Sequence, residues 1–235
     1  MPFTNKAALM GAAGNGGPDW SGAIDGNTKL MVPFNEDSTT DFVDLVSSSN
    51  VTLTGTSTVS SVTDGPTGVD RCVQAAQEVG WRTFKSPGTM AHNSGDWTHE
   101  IFYQQLPSAD WFGIGPLEGN TDGTQPPRFY GSALGGWYII ANGGNVTSGY
   151  ISASVSTWYH LCFMRVSGVW YAFFNGSQFL DWTETGTAFT GSDYVSIGQR
   201  HSTGAGDGYR VSSWRVSDTA RYATSGFTVP SPFYS

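Results

Sequence analysis

Along residues 158 to 182, large apolar and β-branched side chains fall into three short stretches: Trp158 to Arg165, Val169 to Phe174 and Ser177 to Trp182. They are separated by Val166-Ser167-Gly168 and by Asn175-Gly176. Side chains of this kind favour a pleated surface. Asn-Gly accepts positive φ at both centres of a type I′ turn, so the three stretches predict a three-stranded antiparallel meander. On alternation, Trp158, His160, Cys162 and Met164 face one way, and Tyr159, Leu161, Phe163 and Arg165 the other. Neither face is polar. The strand therefore belongs in mid-sheet, with one face in a core and the other covered or lining a groove.

Short β-like stretches recur along the rest of the chain, with no sustained helical period. Before the meander they are Lys29 to Phe34, Asp41 to Val46, Val51 to Thr54 continuing through Val59 and Val62, Cys72 to Ala76, Trp97 to Tyr103, Trp111 to Ile114, Gly136 to Ile140 and Gly149 to Ser154. After it come Tyr194 to Gly198 and Tyr209 to Val216. Pro33 demotes the first stretch to an edge or a bulge. Asp64 to Gly68, Gly204 to Gly208 and Asp218 to Tyr222 read as turns. Gly115 to Arg128 is a long Gly/Pro/Asn-rich loop, of a length that is usually functional or disordered. Residues 1–27 are Gly/Ala-rich and bury too little to order themselves, so they read as an arm. Its apolar residues Phe3, Leu9 and Met10 are its candidate docking contacts. The domain then spans 28–235.

Composition narrows the class. A chain of 235 residues with 31 Gly, 11 Pro and only 13% charged residues suits one large all-β sandwich. The net charge of −8 argues against nucleic acid or an anionic membrane as partner. No transmembrane run is present, and Met1 to Ala13 lacks a proper signal-peptide core, which predicts synthesis in the cytoplasm without export by that route. Cys72 and Cys162 form no metal pattern and read as small buried hydrophobes, unless their strands meet to form a disulfide.

Trp158-Tyr-His-Leu-Cys-Phe-Met-Arg165, followed by a strand ending Phe174-Asn-Gly-Ser177, resembles the "W-H-H-V-A-L-V-R … Y-V-N-G" hairpin of laminin-G-like domains. These belong to the concanavalin A-like lectin and glucanase superfamily. The opening Leu30-Met-Val-Pro-Phe-Asn-Glu36 and Thr39 to Ser48, and the ending Trp214-Arg-Val-Ser-Asp-Thr-Ala-Arg-Tyr222 with Phe227-Thr-Val-Pro-Ser-Pro-Phe233, resemble the subset found in tailed-phage virion proteins. The resemblance implies a two-sheet antiparallel jelly-roll sandwich. It also implies a non-enzymatic virion structural protein: a capsid decoration, fibre or tail-associated subunit, arrayed or homo-oligomeric on the virion and docked to phage capsid or tail proteins through its arm. The alternative is a carbohydrate-binding module or lectin for host surface glycans.

Candidate chemistry is sparse. His99-Glu100-Ile-Phe-Tyr103 opens like a zinc-protease signature, but Tyr103 stands where the second imidazole is needed. Retaining glycosidases need two carboxyl groups about 5 Å apart, and Glu100 is solitary in its strand, with Asp181 and Glu184 at a later turn. No nucleophile elbow or phosphate loop appears. No cofactor is implied. A rim Ca²⁺ is compatible with the resemblance, and Asp181, Asp193 and Asp207 are the acids placed for it, but no diagnostic loop assigns it. For glycan contact the candidates are Trp111, Trp137 and Tyr138, which flank the long loop, whereas Trp158, Trp170, Phe173 and Trp214 read as core. Asn50, Asn145 and Asn175 lie in Asn-x-Ser/Thr triplets that a Ser/Thr-rich chain produces by chance.

Overall fold

The computed structural model describes residues 24–35, 37–55, 58–75, 82–91, 95–107, 112–116, 127–131, 136–141, 144–151, 154–184, 192–198 and 208–230. These form strands and connections, with no helix among the described residues. In chain order the strands are β1 (Thr28–Val32), β2 (Val43–Asp44), β3 (Ser49–Asn50), β4 (Thr52–Gly55), β5 (Val59–Val62), β6 (Cys72–Ala75), β7 (Arg82–Ala91), β8 (Trp97–Gln105) and β9 (Phe112–Pro116). There follow β10 (Arg128–Gly131), β11 (Trp137–Ala141), β12 (Gly144–Gly149), β13 (Trp158–Val166), β14 (Val169–Phe174), β15 (Ser177–Thr183), β16 (Ser192–Gly198) and β17 (Tyr209–Ser217).

Two antiparallel sheets pack as a sandwich. The eight-stranded sheet has the order β15-β14-β13-β8-β17-β6-β5, with β1 also on β17; the seven-stranded sheet runs β12-β11-β10-β9-β16-β7-β4. Strand β17 keeps β8 along one side, while its other side pairs first with β6 at 209–211 and then with β1 at 214–217. The exchange falls at Ser213, whose φ is 56° and whose N–H donates to the Pro33 carbonyl at 3.0 Å. Proline at this point ends β1, which has β17 as its only strand partner among the described residues, as an edge position requires.

The predicted meander is β13, β14 and β15. Both of its turns have positive φ at their two centres, 50° and 83° at Ser167-Gly168 and 49° and 74° at Asn175-Gly176. This is the primed geometry whose twist suits a tight hairpin. Leu161, Phe163, Trp170 and Trp214 point between the sheets, where they meet Phe84, Ile101, Tyr103, Phe112, Phe129 and Trp137. The opposite face of β13 and β14 is just as dry: Cys162, Met164 and Phe173 are fully buried. The chain end, residues 218–230, lies across them as a strap. Tyr222 and Phe227 stack at 3.8 Å, Phe227 meets Phe173 at 5.2 Å, and the Phe227 N–H donates to the Gly176 carbonyl at 2.9 Å. Further along the same face Trp158, Ile24, Leu45, Val46 and Val229 cover Met31 and Phe102. Phe173 is therefore buried and Trp158 half-buried outside the inter-sheet core, on the face the strap closes.

Some expectations shift. The sequence pattern misses β7 and β10. Strand β7 contains Ser86-Pro87-Gly88, which reads as a turn but forms an irregularity opposite Tyr194 and Ser196, where proline is tolerated inside a sheet. The strand expected at Gly149 to Ser154 lies earlier, because 144–149 pair with 137–141. Residues 24–27 pack on the domain: Asp25 takes the Arg221 guanidinium at 2.9 and 3.1 Å. Hydrogen bonds from Arg221 hold its carboxyl down at about 2. Phe3, Leu9 and Met10 lie outside the described residues.

Both cysteines are free and buried. Burial pushes the Cys72 thiol up to about 12, and burial followed by the Glu100 charge raises that of Cys162 well above the ordinary value. Neither thiol should react with a disulfide reagent at pH 8 until denaturant is added, when two should titrate; rapid labelling of the native protein would contradict this.

Candidate functional site

Along β8, Trp97, Ile101 and Tyr103 join the inter-sheet core while Glu100 points the other way, beneath the strap. Glu100 is 0% exposed. Its Oε1 accepts from Arg215 Nε at 2.7 Å, and its Oε2 accepts from the Tyr222 hydroxyl at 2.6 Å and meets His160 Nε2 at 3.0 Å. Arg215 Nη2 also donates to Tyr222 Oη at 3.2 Å. Burial alone would raise this carboxyl, but the Arg215 charge and the His160 and Tyr222 hydrogen bonds outweigh it and hold it at about 2. Both oxygens are occupied and no solvent reaches them. Glu100 is a locking residue for the strap, not an acid offered to a substrate. His99 is on the opposite face of the strand, buried beside Trp97, so the pair cannot converge on a metal.

A cleft of about 430 Å³ opens where β7 passes toward β8, lined by Lys29, Asp44, Ser47, Thr89, Met90 and Trp97 among others. Its polar groups already serve the fold. Asp44 accepts from the N–H groups of Met31, Val46 and Ser47 at 2.9 to 3.0 Å, and Lys29 pairs with Asp218 at 2.8 Å.

The outer face of the seven-stranded sheet differs. Burial alternates along β11 and β10, sending Trp137, Ile139 and Phe129 inward and Tyr138, Ile140, Arg128 and Tyr130 outward. Tyr130 and Tyr138 stand directly opposite one another, with Arg128 opposite Ile140 in the next row. Glycine lets both rings lie down. A Cβ at Gly113, on the neighbouring β9, would meet the Tyr130 ring at 2.8 Å, and one at Gly136 would meet the Tyr138 hydroxyl at 2.6 Å. The two residues are half-buried. The Arg128 guanidinium sits 5.5 Å from the Tyr130 ring centre. Across the sheet, Lys85 of β7 lies 5.0 Å from the ring of Tyr194, which is 39% exposed. Between the two tyrosine–cation pairs, β9 and β16 place only Gly113, Gly115, Ser196 and Gly198 at outward register positions. Ser196 Oγ is buried there without a hydrogen-bond partner.

The sequence candidates thus separate. Tyr138 belongs to this face. Trp137 does not: it is 0% exposed, packed against Tyr103, Phe129 and Phe174, and a Cβ on Gly131 would strike its indole at 2.5 Å. Glycine opposite the indole turns it into the core and corrects its expected place in an exposed groove. Trp111 and Asp207 lie outside the described residues. Asp181 is exposed, with Gln178 donating to it at 3.2 Å, and Glu184 pairs with Arg165 at 3.3 Å. Among the described residues no group of three or more His, Cys, Asp or Glu is placed to hold a metal ion. Tyr130, Arg128, Lys85 and Tyr194 were not singled out in the sequence; the available signal was a tyrosine two residues from arginine in a short alternating run.

No family model matches the chain, and no curated protein matches it. Solved structures do. The receptor binding domain of botulinum neurotoxin D superposes with a TM-score of 0.59 at 9% identity, over 83% of this chain and 50% of that one. Domain 4 of AbnA, an extracellular arabinanase from Geobacillus stearothermophilus solved with arabinotriose, gives 0.54 at 17% identity, over 82% and 93%. A Trypanosoma rangeli sialidase in complex with 2,3-difluorosialic acid gives 0.57 at 11%, over 86% and 32%. The chain spans about half of the neurotoxin domain and about a third of the sialidase chain. At these identities the likeness establishes the β-sandwich fold alone.

Proposed function

We propose that this chain is a non-catalytic, lectin-like glycan-binding domain whose contact surface is the outer face of the seven-stranded sheet. The observation that carries this reading is the pair Tyr130 and Tyr138, two adjacent half-buried tyrosines at outward positions whose rings are laid on glycines. A flat aromatic face meets the apolar C–H face of a pyranose, while nearby polar groups fix its orientation. The sugar ligands named with the arabinanase domain and the sialidase are compatible with it. A non-catalytic role fits the burial of Glu100.

The setting we propose is the virion of a tailed phage. Support comes from the resemblance at both ends of the domain, with the Gly/Ala-rich residues before 24 as the docking arm. The closing motif also has a structural use, since Arg221 and Tyr222 anchor the strap. It therefore speaks more to fold than to location.

A glycan microarray followed by calorimetry tests the binding role. Each ring should contribute about 1 kcal/mol, so Tyr130→Ala or Tyr138→Ala should weaken binding about fivefold with the melting transition retained. Binding unchanged in the double variant would refute the site, and no binding to any glycan would refute the function. Co-sedimentation of the full chain with stripped capsids tests the virion setting.

A further inference from the structure

The tyrosine row of this face does not stop at Tyr138. Burial alternates along β12 and the residue after it, with Ser148 and Tyr150 exposed and Thr147 and Gly149 half-buried. Gly149 stands opposite the inward-facing Trp137 and is itself turned inward: a Cβ there would meet the Phe179 ring at 2.6 Å, on β15 of the other sheet. Its two neighbours therefore face out. Ser148 is opposite Tyr138, and Tyr150 comes level with Gly136 when the register is continued by one residue. Gly136 is the glycine over which Tyr138 leans, its Cβ position lying 2.6 Å from the tyrosine hydroxyl. The Tyr138 ring thus points toward the row that Tyr150 occupies. Tyr150 is 67% exposed, more than any other large apolar side chain among the described residues. A single exposed ring needs no explanation, but one in line with two others does.

We propose that Tyr150 is a third stacking residue of the glycan face, and that the face takes three or more consecutive sugars of a linear glycan, not a single terminal sugar. The inference rests on the glycan-binding reading above and gives its ligand a minimum length. The Tyr130 ring lies over Gly113 on β9, and Tyr150 follows β12, three strands away in the order β9-β10-β11-β12, or about 14 Å at the usual interstrand spacing. One pyranose cannot cover that distance. Strand β12 ends the strand order of its sheet, so the row of rings runs out to a sheet edge, where a longer chain can continue. Each ring offers a flat apolar surface to one sugar, and the hydroxyl of Ser148, exposed beside Tyr138 and Tyr150, can donate to and accept from sugar hydroxyls. Affinity assembled from such repeated contacts grows with chain length until the rings are covered, and then stops growing.

The test prints cello-, xylo-, laminari-, malto- and chito-oligosaccharides of one to six units on the glycan array, with size-graded fragments of any other glycan that binds, and follows the best series by calorimetry on the full chain. Affinity in that series should rise about tenfold or more from one unit to three or four and then level off. Tyr150→Ala should weaken binding of three units and longer about fivefold, leaving single units and the melting transition unchanged, and Tyr150→Trp should keep the length dependence. Amide shifts at 148–150 should appear with three units. A single sugar that binds as tightly as its hexamer overturns this inference and leaves the glycan-binding reading standing. Length dependence that survives Tyr150→Ala, or that leaves 148–150 unshifted, overturns the assignment to Tyr150. Binding to no glycan of any length overturns both.

Discussion

Replacing Arg215 with Met should destabilise the protein by about 3–5 kcal/mol, because it strands the Glu100 carboxylate in a site with no solvent. For a chain of this size that corresponds to a fall of about 6–20 °C in the melting temperature. Exposed pairs such as Arg71–Asp37, whose Asp is 80% exposed, should contribute about 0–1 kcal/mol by comparison. Glu100→Leu combined with Arg215→Met should lose much less than Arg215→Met alone, since the charge and its partner leave together. The network also predicts an acid transition. The Glu100 carboxyl lies at about 2 in the fold against an ordinary 4.5. A depressed folded value gives stability that is complete above pH 4.5 and drains as pH falls toward 2, since the unfolded chain takes up the proton first. Glu100→Gln should flatten the stability profile in that window, leaving the smaller slope from Asp25, which falls from 3.8 to about 2. Equilibrium urea unfolding from pH 2 to 7 reads both effects. A cost below about 1 kcal/mol for Arg215→Met would show that water reaches the network.

Gly176→Ala should be the more damaging of two superficially equal turn substitutions. Gly168 and Gly176 occupy the same position in successive two-residue turns, at φ 83° and 74°. Alanine at either pays the left-handed backbone penalty of about 1–2 kcal/mol. At Gly168 a Cβ meets nothing within 4 Å, whereas at Gly176 it would run into the Phe227 carbonyl oxygen. That oxygen belongs to the strap, so relief requires lifting the segment that seals Cys162, Met164 and Phe173. The added strain should bring the cost of Gly176→Ala to about 2–5 kcal/mol. Urea midpoints of the two variants decide it: equal losses would mean the strap yields freely.

The meander was legible because its signals are local: alternation of side chains, an Asn-Gly pair, and apolar residues on both faces that demand two coverings. What the second covering would be was not legible. Glu100 looks solitary in its strand since its partners lie 60, 115 and 122 residues away, brought together by sheet pairing and the strap. A lone carboxylate in a strand with no other acid and no Lys or Arg was the one clue, as it needs a buried partner somewhere. Trp137 shows a different limit. Both parities of Gly136 to Ile140 offer large apolar side chains, and the choice between them is made by Gly131 on the opposite strand, whose bare backbone admits the indole on the core side. Strand β10 escaped notice because four residues, Arg-Phe-Tyr-Gly, are too few for a period to register. With it went Arg128 and Tyr130, half of the proposed site.

The most direct test of a glycan-contact face on the seven-stranded sheet is amide chemical-shift mapping of the labelled full chain, titrated with the oligosaccharide that binds best on the glycan microarray. Shifts should concentrate in 113–115, 128–131, 136–140 and 194–198, saturating together, with 218–230 silent. Shifts confined to the cleft around Lys29, Thr89 and Trp97, or to the strap, would contradict it.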